Sequence, residues 1–305
     1  MAGGSLLMLL DDISLLMDDV SVMTKVAAKK TAGVLGDDLA LNAEQVSGVK
    51  PSRELPVVWA VAKGSFVNKL ILVPAALLIS YFIPWLITPL LMIGGLFLSF
   101  EGAEKVVHKF WPRLLPHDEE QEARAAANAD ETVDLVEMEK EKVKGAIRTD
   151  FILSAEIIVI ALGTLTSASL INKSMVLSVI ALAATFGIYG IVAVIVKIDD
   201  VGLHMMQKQG ASNVTKKVGQ FLLSAAPKLM KVLTIVGTIA MFLVGGGIIV
   251  HGINSLEHAV EDLADLTGVF EGLSANLLNG FIGLAIGLVV LLVVTIIKKT
   301  RSEAH

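Results

Sequence analysis

The sequence predicts an all-α fold: a polytopic transmembrane helical bundle with a proline-broken helical hairpin and amphipathic interfacial helices. Three observations predict it. Apolar residues make up 54% of the 305 residues and charged residues 18%, with a mean hydropathy of +0.72, whereas a soluble domain carries about 45–50% and about 25%. The apolar residues are also bunched, into runs at 70–100, 151–170, 175–196, 232–250 and 276–297. Each reaches the roughly 20 residues that a helix needs to cross about 30 Å of hydrocarbon. None alternates apolar with polar residues as membrane strands of about 10 residues do, and in lipid a helix satisfies its own backbone groups.

Residues 1–69 read as an amphipathic, largely helical segment lying against the membrane. Asp11, Asp18 and Lys25 recur at seven-residue steps, as do Asp12 and Asp19, while Leu9, Ile13, Leu16, Val20 and Met23 occupy the other side. The stretch Leu35-Gly36-Asp37-Asp38 predicts a turn and a new helix start, with Asp37 or Asp38 as the cap. The opening "MAGGSLLMLLDD" holds no Lys or Arg and its apolar core is cut by Asp11, so it does not read as a cleaved signal peptide.

Within 70–100, Pro84 and Pro89 break the helix near its middle. Two pieces of about 15 residues are short for full spans at about 1.5 Å per residue. The preferred reading is a hairpin that enters and returns; two short tilted spans and one kinked span are the alternatives. Residues 101–150 form a charged segment, dense in charge and alanine from His117 onward. Residues 151–305 hold four transmembrane helices and a tail.

Lys and Arg in short loops mark the cytoplasmic side. Lys197, Lys208, Lys216, Lys217 and Lys228 fall in one loop, and Lys298, Lys299 and Arg301 in the tail, while 252–275 contains no Lys or Arg. The C-terminus is therefore expected in the cytoplasm. Residues 1–69 and 101–150 are basic too, which asks for an even number of crossings between them.

Glu156, six residues into the apolar "FILSAEIIVIAL", is the sharpest single signal, because carboxylates at membrane depth tend to mark ion or proton paths. The plainer reading pairs it with Arg148 or Lys144. The doublets Asp11–Asp12 and Asp199–Asp200 sit in matching contexts, "LDDISLLM" and "IDDVGLHM". They can hold a cation or a proton, or simply cap interfacial helices. A second echo relates Gly95, Glu101, Gly102 and His108 to Gly245, His251, Gly252 and His258, which leaves an internal duplication open and adds Glu101 to the candidates. His258, Glu261 and Asp262 have helical spacing for a divalent ion, although an acidic solvated face explains them as well. Gly280, Gly283, Gly287, Ala183, Gly187 and Gly190 fit close helix packing.

There is no cysteine, which excludes disulfides and thiolate metal sites. A phosphate-binding loop, a zinc-protease motif and a nucleophile elbow are all missing, so no enzyme activity and no cofactor is expected. The net charge of −5 and the lack of a basic aromatic face argue against nucleic acid.

The stretches "LLDDISLLMDDVSVMTKVAAKKTAGVLGDDLALNAEQVSGV", "RELPVVWAVAKGSFVNKLILVPAALLIS", "FLSFEGAEKVVHKF" and "KIDDVGLHM" resemble the YedI-type bacterial inner-membrane proteins, a domain of unknown function, over essentially the whole chain. The resemblance implies a multi-pass protein of the bacterial plasma membrane and transfers no activity. The residues themselves point to a gradient-driven transporter or channel-like protein for an ion or small solute. The alternative is a non-transporting scaffold acting through its charged segments. The expected partners are the lipid bilayer, a cation or proton, and other copies of the chain in a homo-oligomer.

Overall fold

The computed structural model describes residues 2–46, 53–111, 131–207 and 212–302. All regular structure among them is helical: α1 (Ala2–Val46), α2 (Glu54–Phe82), a 3-10 turn (Pro84–Leu86), α3 (Ile87–Phe110), α4 (Glu131–Gly163), α5 (Leu170–Val196), α6 (Ile198–Gln207), α7 (Asn213–Gly252), α8 (Asn254–Asp265) and α9 (Glu271–Ser302). Five segments are long and apolar enough to cross a membrane: α2, the stretch Pro84–Phe110 containing α3, α5, α7 and α9.

The contacts fix the directions. Arg53 meets Glu139 and Lys69 meets Ser154, so α2 and α4 run parallel. Gly94 lies against Ile152 while Glu101 meets Thr149, so α3 returns antiparallel to both. Gln45 meets Thr149, and Asp37 lies within electrostatic reach of Glu156, which sets α1 antiparallel to α4. One end of the bundle thus gathers the end of α1, the starts of α2 and α4 and the lysines around the α5–α7 connection; we call it the basic end. The other, acidic end carries α8, with Glu257, Glu261, Asp262 and Asp265.

The hairpin differs in depth from the sequence-based expectation. α2 begins 16 residues before Leu70 and continues through Pro74, so its 29 residues span about 43 Å and the 24 of α3 about 36 Å. Both arms are long and apolar enough for full crossings. Pro84 opens the 3-10 turn and Pro89 falls in the first turn of α3, where a missing N–H costs nothing.

The larger correction concerns α1. It runs unbroken through Leu35-Gly36-Asp37-Asp38, with no turn and no cap, and Asp38 is 2% exposed. Nor does its second half lie on the membrane surface. Ala27, Thr31, Leu41, Ala43 and Val46 have no exposed surface, and α1 packs against α4, α5 and α7. A helix of low hydropathy can occupy a membrane bundle's interior if its polar groups face one another. The N-terminal lysines Lys25, Lys29 and Lys30, counted as flanking the basic end, therefore lie along α1, 16 to 21 residues before Val46.

A glycine seam joins α3, α7 and α9. Side chains at Gly95 and Gly245 would each meet the other's carbonyl oxygen, at 2.9 and 2.8 Å, Gly102 faces Met241 and Phe242, and Gly252 faces Met92. The Gly95/Gly102 and Gly245/Gly252 echo is therefore the two sides of one antiparallel helix contact. Gly283 and Gly287 lie against Phe242 and Ser99, as their spacing predicts. Gly187 and Gly190 instead have nothing within 4 Å of where a side chain would start, and Ala183 is exposed. Those three face outward.

Candidate functional site

Polar residues recur on one face of α1 at Thr24, Thr31, Asp38, Asn42 and Gln45, steps of seven, seven, four and three. From Thr24 to Gln45 this stripe covers about 32 Å, close to the roughly 30 Å of a hydrocarbon core. The other helices supply its partners.

At its centre stands Asp150 of α4. Its carboxylate accepts from Ser65 Oγ (2.8 Å), Asn68 Nδ2 (3.0 Å), Tyr189 Oη (2.9 Å) and Ser154 Oγ (3.3 Å). Lys69 donates to Ser65 Oγ (2.7 Å) and Ser154 Oγ (2.9 Å), and its Nζ lies 3.5 Å from Asp150 Oδ1. Ser65, Asn68 and Lys69 are at i, i+3 and i+4, so one face of α2 delivers all three. Lys69 lies 15 residues from Glu54 and 13 from Phe82, about 22 and 20 Å from the ends of α2. Tyr189 of α5 closes the link to α1, with its Oη 2.8 Å from Asn42 Oδ1, and Asn42 Nδ2 donates to the Asp38 carbonyl (2.8 Å).

Toward the basic end the stripe continues into a second cluster. Gln45 Nε2 donates to Glu101 Oε1 and Thr149 Oγ1, both at 3.0 Å, and Thr149 donates to Glu101 Oε2 (3.1 Å). Lys105 bridges Glu44 (2.8 Å) and Glu101 (3.6 Å). Thr149 and Asp150 are neighbours in sequence, so α4 joins the two clusters.

Above the centre the network is incomplete. Asp38 Oδ1, Glu156 Oε2 and Thr24 Oγ1 are shut off from solvent and have no hydrogen-bond partner among the described residues. Asp38 feels the charges of Glu156, Asp150 and Lys69, and Glu156 that of Asp37. Lys69 is thus the ammonium shared by Asp38 and Asp150, and Glu156 has no ion-pair partner among the described residues. Neither partner anticipated for Glu156 reaches it as an ion pair: Arg148 lies over the Phe97 ring, 5.5 Å away, and Lys144 borders the surface between α2 and α4. Ionised carboxylates left unpaired in such a setting are costly, so protons or a cation held by oxygen ligands would complete this arrangement.

The other sequence-predicted residues fall elsewhere. Asp11 and Asp12 belong to α1, and their side chains lie outside the described residues. Asp199 and Asp200 open α6, with Asp200 exposed and paired with Lys197. That contact, led by the hydrogen bond, holds the Lys197 ammonium above the usual lysine range. Asp199 lies near Glu54 at the basic end, whereas Glu156 is 17 residues, about 26 Å, beyond Glu139 along α4. The doublet and Glu156 do not share a site. One doublet lies within a long helix and the other starts a short one, so they are not equivalent halves. His258 pairs with Glu261 (3.4 Å) on the exposed face of α8, with Asp262 exposed beside them, and among the described residues no group of three or more His, Asp or Glu is placed to hold a metal.

Asp38, Asn42, Gln45, Ser65, Asn68, Lys69, Asp150 and Tyr189 did not stand out as site residues in the sequence. The signal that finds them is helical periodicity of small polar residues inside apolar stretches, which a search for lone charges passes over.

Residues 4–296 match the family model described as "Protein of unknown function (DUF808)", and the chain belongs to that family. No curated protein and no solved structure matches it.

Proposed function

We propose that this DUF808-family membrane protein is a gradient-driven ion transporter in which Asp38 and Glu156 carry the ion, a proton or a monovalent cation. The observation that carries the reading is the pair of buried carboxyl oxygens without partners, beside an Asp150–Lys69–Tyr189 centre whose groups are all engaged. A stripe as long as the hydrocarbon core is thick gives such an ion a polar route along α1. Tyr189 has one hydroxyl proton and two acceptors, Asn42 and Asp150, so turning that hydroxyl can couple the stripe to the centre. In this reading the chain crosses a bacterial inner membrane, and the basic end's lysines support a cytoplasmic C-terminus. The scaffold alternative depended on residues 1–69 and the charged stretch 117–150. Part of each, the end of α1 at 37–46 and Ala146, Thr149 and Asp150 of α4, is packed into the bundle, which supports transport over it.

The test uses the purified full chain in vesicles loaded with a pH-reporting or a sodium-reporting dye, with a potassium–valinomycin clamp and an imposed gradient. Entry of one of the two ions above that into protein-free vesicles is expected, falling about tenfold or more in both Asp38→Asn and Glu156→Gln. Entry equal to protein-free vesicles for both ions, or unchanged in both variants, overturns the proposal.

A further inference from the structure

The seam between α2 and α5 is open along its outer side. A groove of about 760 Å³ lies between Trp59, Lys63 and Phe66 on one wall and Phe186, Tyr189 and Gly190 on the other. It adjoins a second of about 390 Å³, which shares Phe66 and Thr185 and reaches Lys69 and Leu77. From Leu55 to Leu77 the two cover about 33 Å of α2. The lining is apolar apart from the two lysines, the hydroxyls along α5 and the edge of Tyr189. At Gly190 a side chain would enter empty space.

The charged rim selects the occupant. Lys63 is exposed, stands 5.3 Å from the centre of the exposed Trp59 ring, and pairs with no carboxylate among the described residues. α2 is about 43 Å long against a hydrocarbon core of about 30 Å. If the excess is shared between the ends, Trp59, five residues in, falls at the water–lipid boundary where tryptophan concentrates. Lys63, one turn further, can extend its ammonium back to headgroup level.

We infer that this groove is a binding site for an anionic phospholipid, its headgroup held by Lys63 beside Trp59 and one acyl chain lying along Phe66 and Gly190 against the Tyr189 ring. A zwitterionic lipid satisfies the apolar groove but not the lysine. One lysine near an anionic headgroup favours it by about fivefold in affinity.

The probe is Trp59 fluorescence. In a full-length Trp85→Phe/Trp111→Phe variant, Trp59 is the sole tryptophan, and bromine on an acyl chain quenches it on contact. In vesicles where brominated phosphatidylglycerol or brominated phosphatidylcholine replaces the unlabelled lipid stepwise, half-quenching is expected at about fivefold less of the former. Lys63→Gln should remove that preference, and Gly190→Leu should weaken quenching by both. Equal quenching by the two lipids overturns the proposal. So does weak quenching by both together with disulfide-linked dimers of Val67→Cys, which assigns the groove to a second copy. Should the tryptophan variant misfold, native mass spectrometry of the otherwise unaltered chain reads the same point: retained phosphatidylglycerol must fall in Lys63→Gln, and equal retention overturns the inference.

Discussion

Lys69 and Asp150 hold each other in a place where neither could stay alone. Their side chains are 6% and 3% exposed, at the middle of α2 and the interior of α4. Breaking a buried pair from one side leaves an uncompensated charge and costs about 3–5 kcal/mol, whereas removing both charges costs much less. Lys69→Met should therefore lower the thermal unfolding midpoint of the detergent-solubilised protein sharply, and Lys69→Met/Asp150→Asn should recover at least about 1 kcal/mol of that loss. Strict additivity of the two single changes would show that the pair is not coupled. At this scale the sequence was partly legible. Glu156 stands out because it is one acid in "FILSAEIIVIAL". Lys69 does not, because it sits at the edge of an apolar run and reads as a flanking lysine. Only the partners that α4 brings to it show that it is interior.

Two helices outside the five that are apolar enough to span, α1 and α4, thread between them; the apolar run expected to span at 151–170 is instead the second half of α4, whose helix ends at Gly163 after a charged first half. That division explains which elements the sequence revealed. The apolar runs at 175–196, 232–250 and 276–297 lie inside α5, α7 and α9, because lipid-facing helices must be hydrophobic almost all round. α1 escaped because its polar stripe and its buried apolar face together mimic a surface helix; amphipathicity alone cannot distinguish a helix facing water from one facing a polar interior. The local turn signal at Gly36-Asp37 was outweighed by packing on three neighbouring helices. Glycines set how closely other elements approach. A methyl group at Gly246 would land on the Asn279 carbonyl, and one at Gly283 on that of Phe242, both backbone atoms of a neighbouring helix. Gly246→Ala and Gly283→Ala should each destabilise the bundle by about 1–3 kcal/mol through overpacking, read as a lower unfolding midpoint, while Gly187→Ala, facing open space, should leave it within about 0.5 kcal/mol. Equal midpoints for all three would place the α7–α9 contact elsewhere.

Across the whole molecule, the polar interior is arranged as a column. Glu101, Gln45 and Lys105 stand toward the basic end, Asp150, Lys69 and Tyr189 at mid-depth, and Asp38 and Glu156 above them. The fold class and the hairpin's return could be read from run length and prolines, because those signals are local. The column could not, since it is assembled from five helices, α1, α2, α3, α4 and α5, whose mutual rotation no single segment encodes. The glycine echo was visible in sequence, yet its meaning is one helix contact between α3 and α7. An ion carried by Glu156 must be able to arrive there from water, through a bundle whose apolar core elsewhere stays dry. A cysteine-free chain makes that directly measurable with a small, water-soluble cationic thiosulfonate applied to Glu156→Cys in native membranes. Leu153→Cys, at a position one turn away and 1% exposed, serves as the dry reference. The thiol of Glu156→Cys is expected to react at a measurable rate while that of Leu153→Cys stays protected until the protein is unfolded; protection of both alike would contradict an ion path to Glu156.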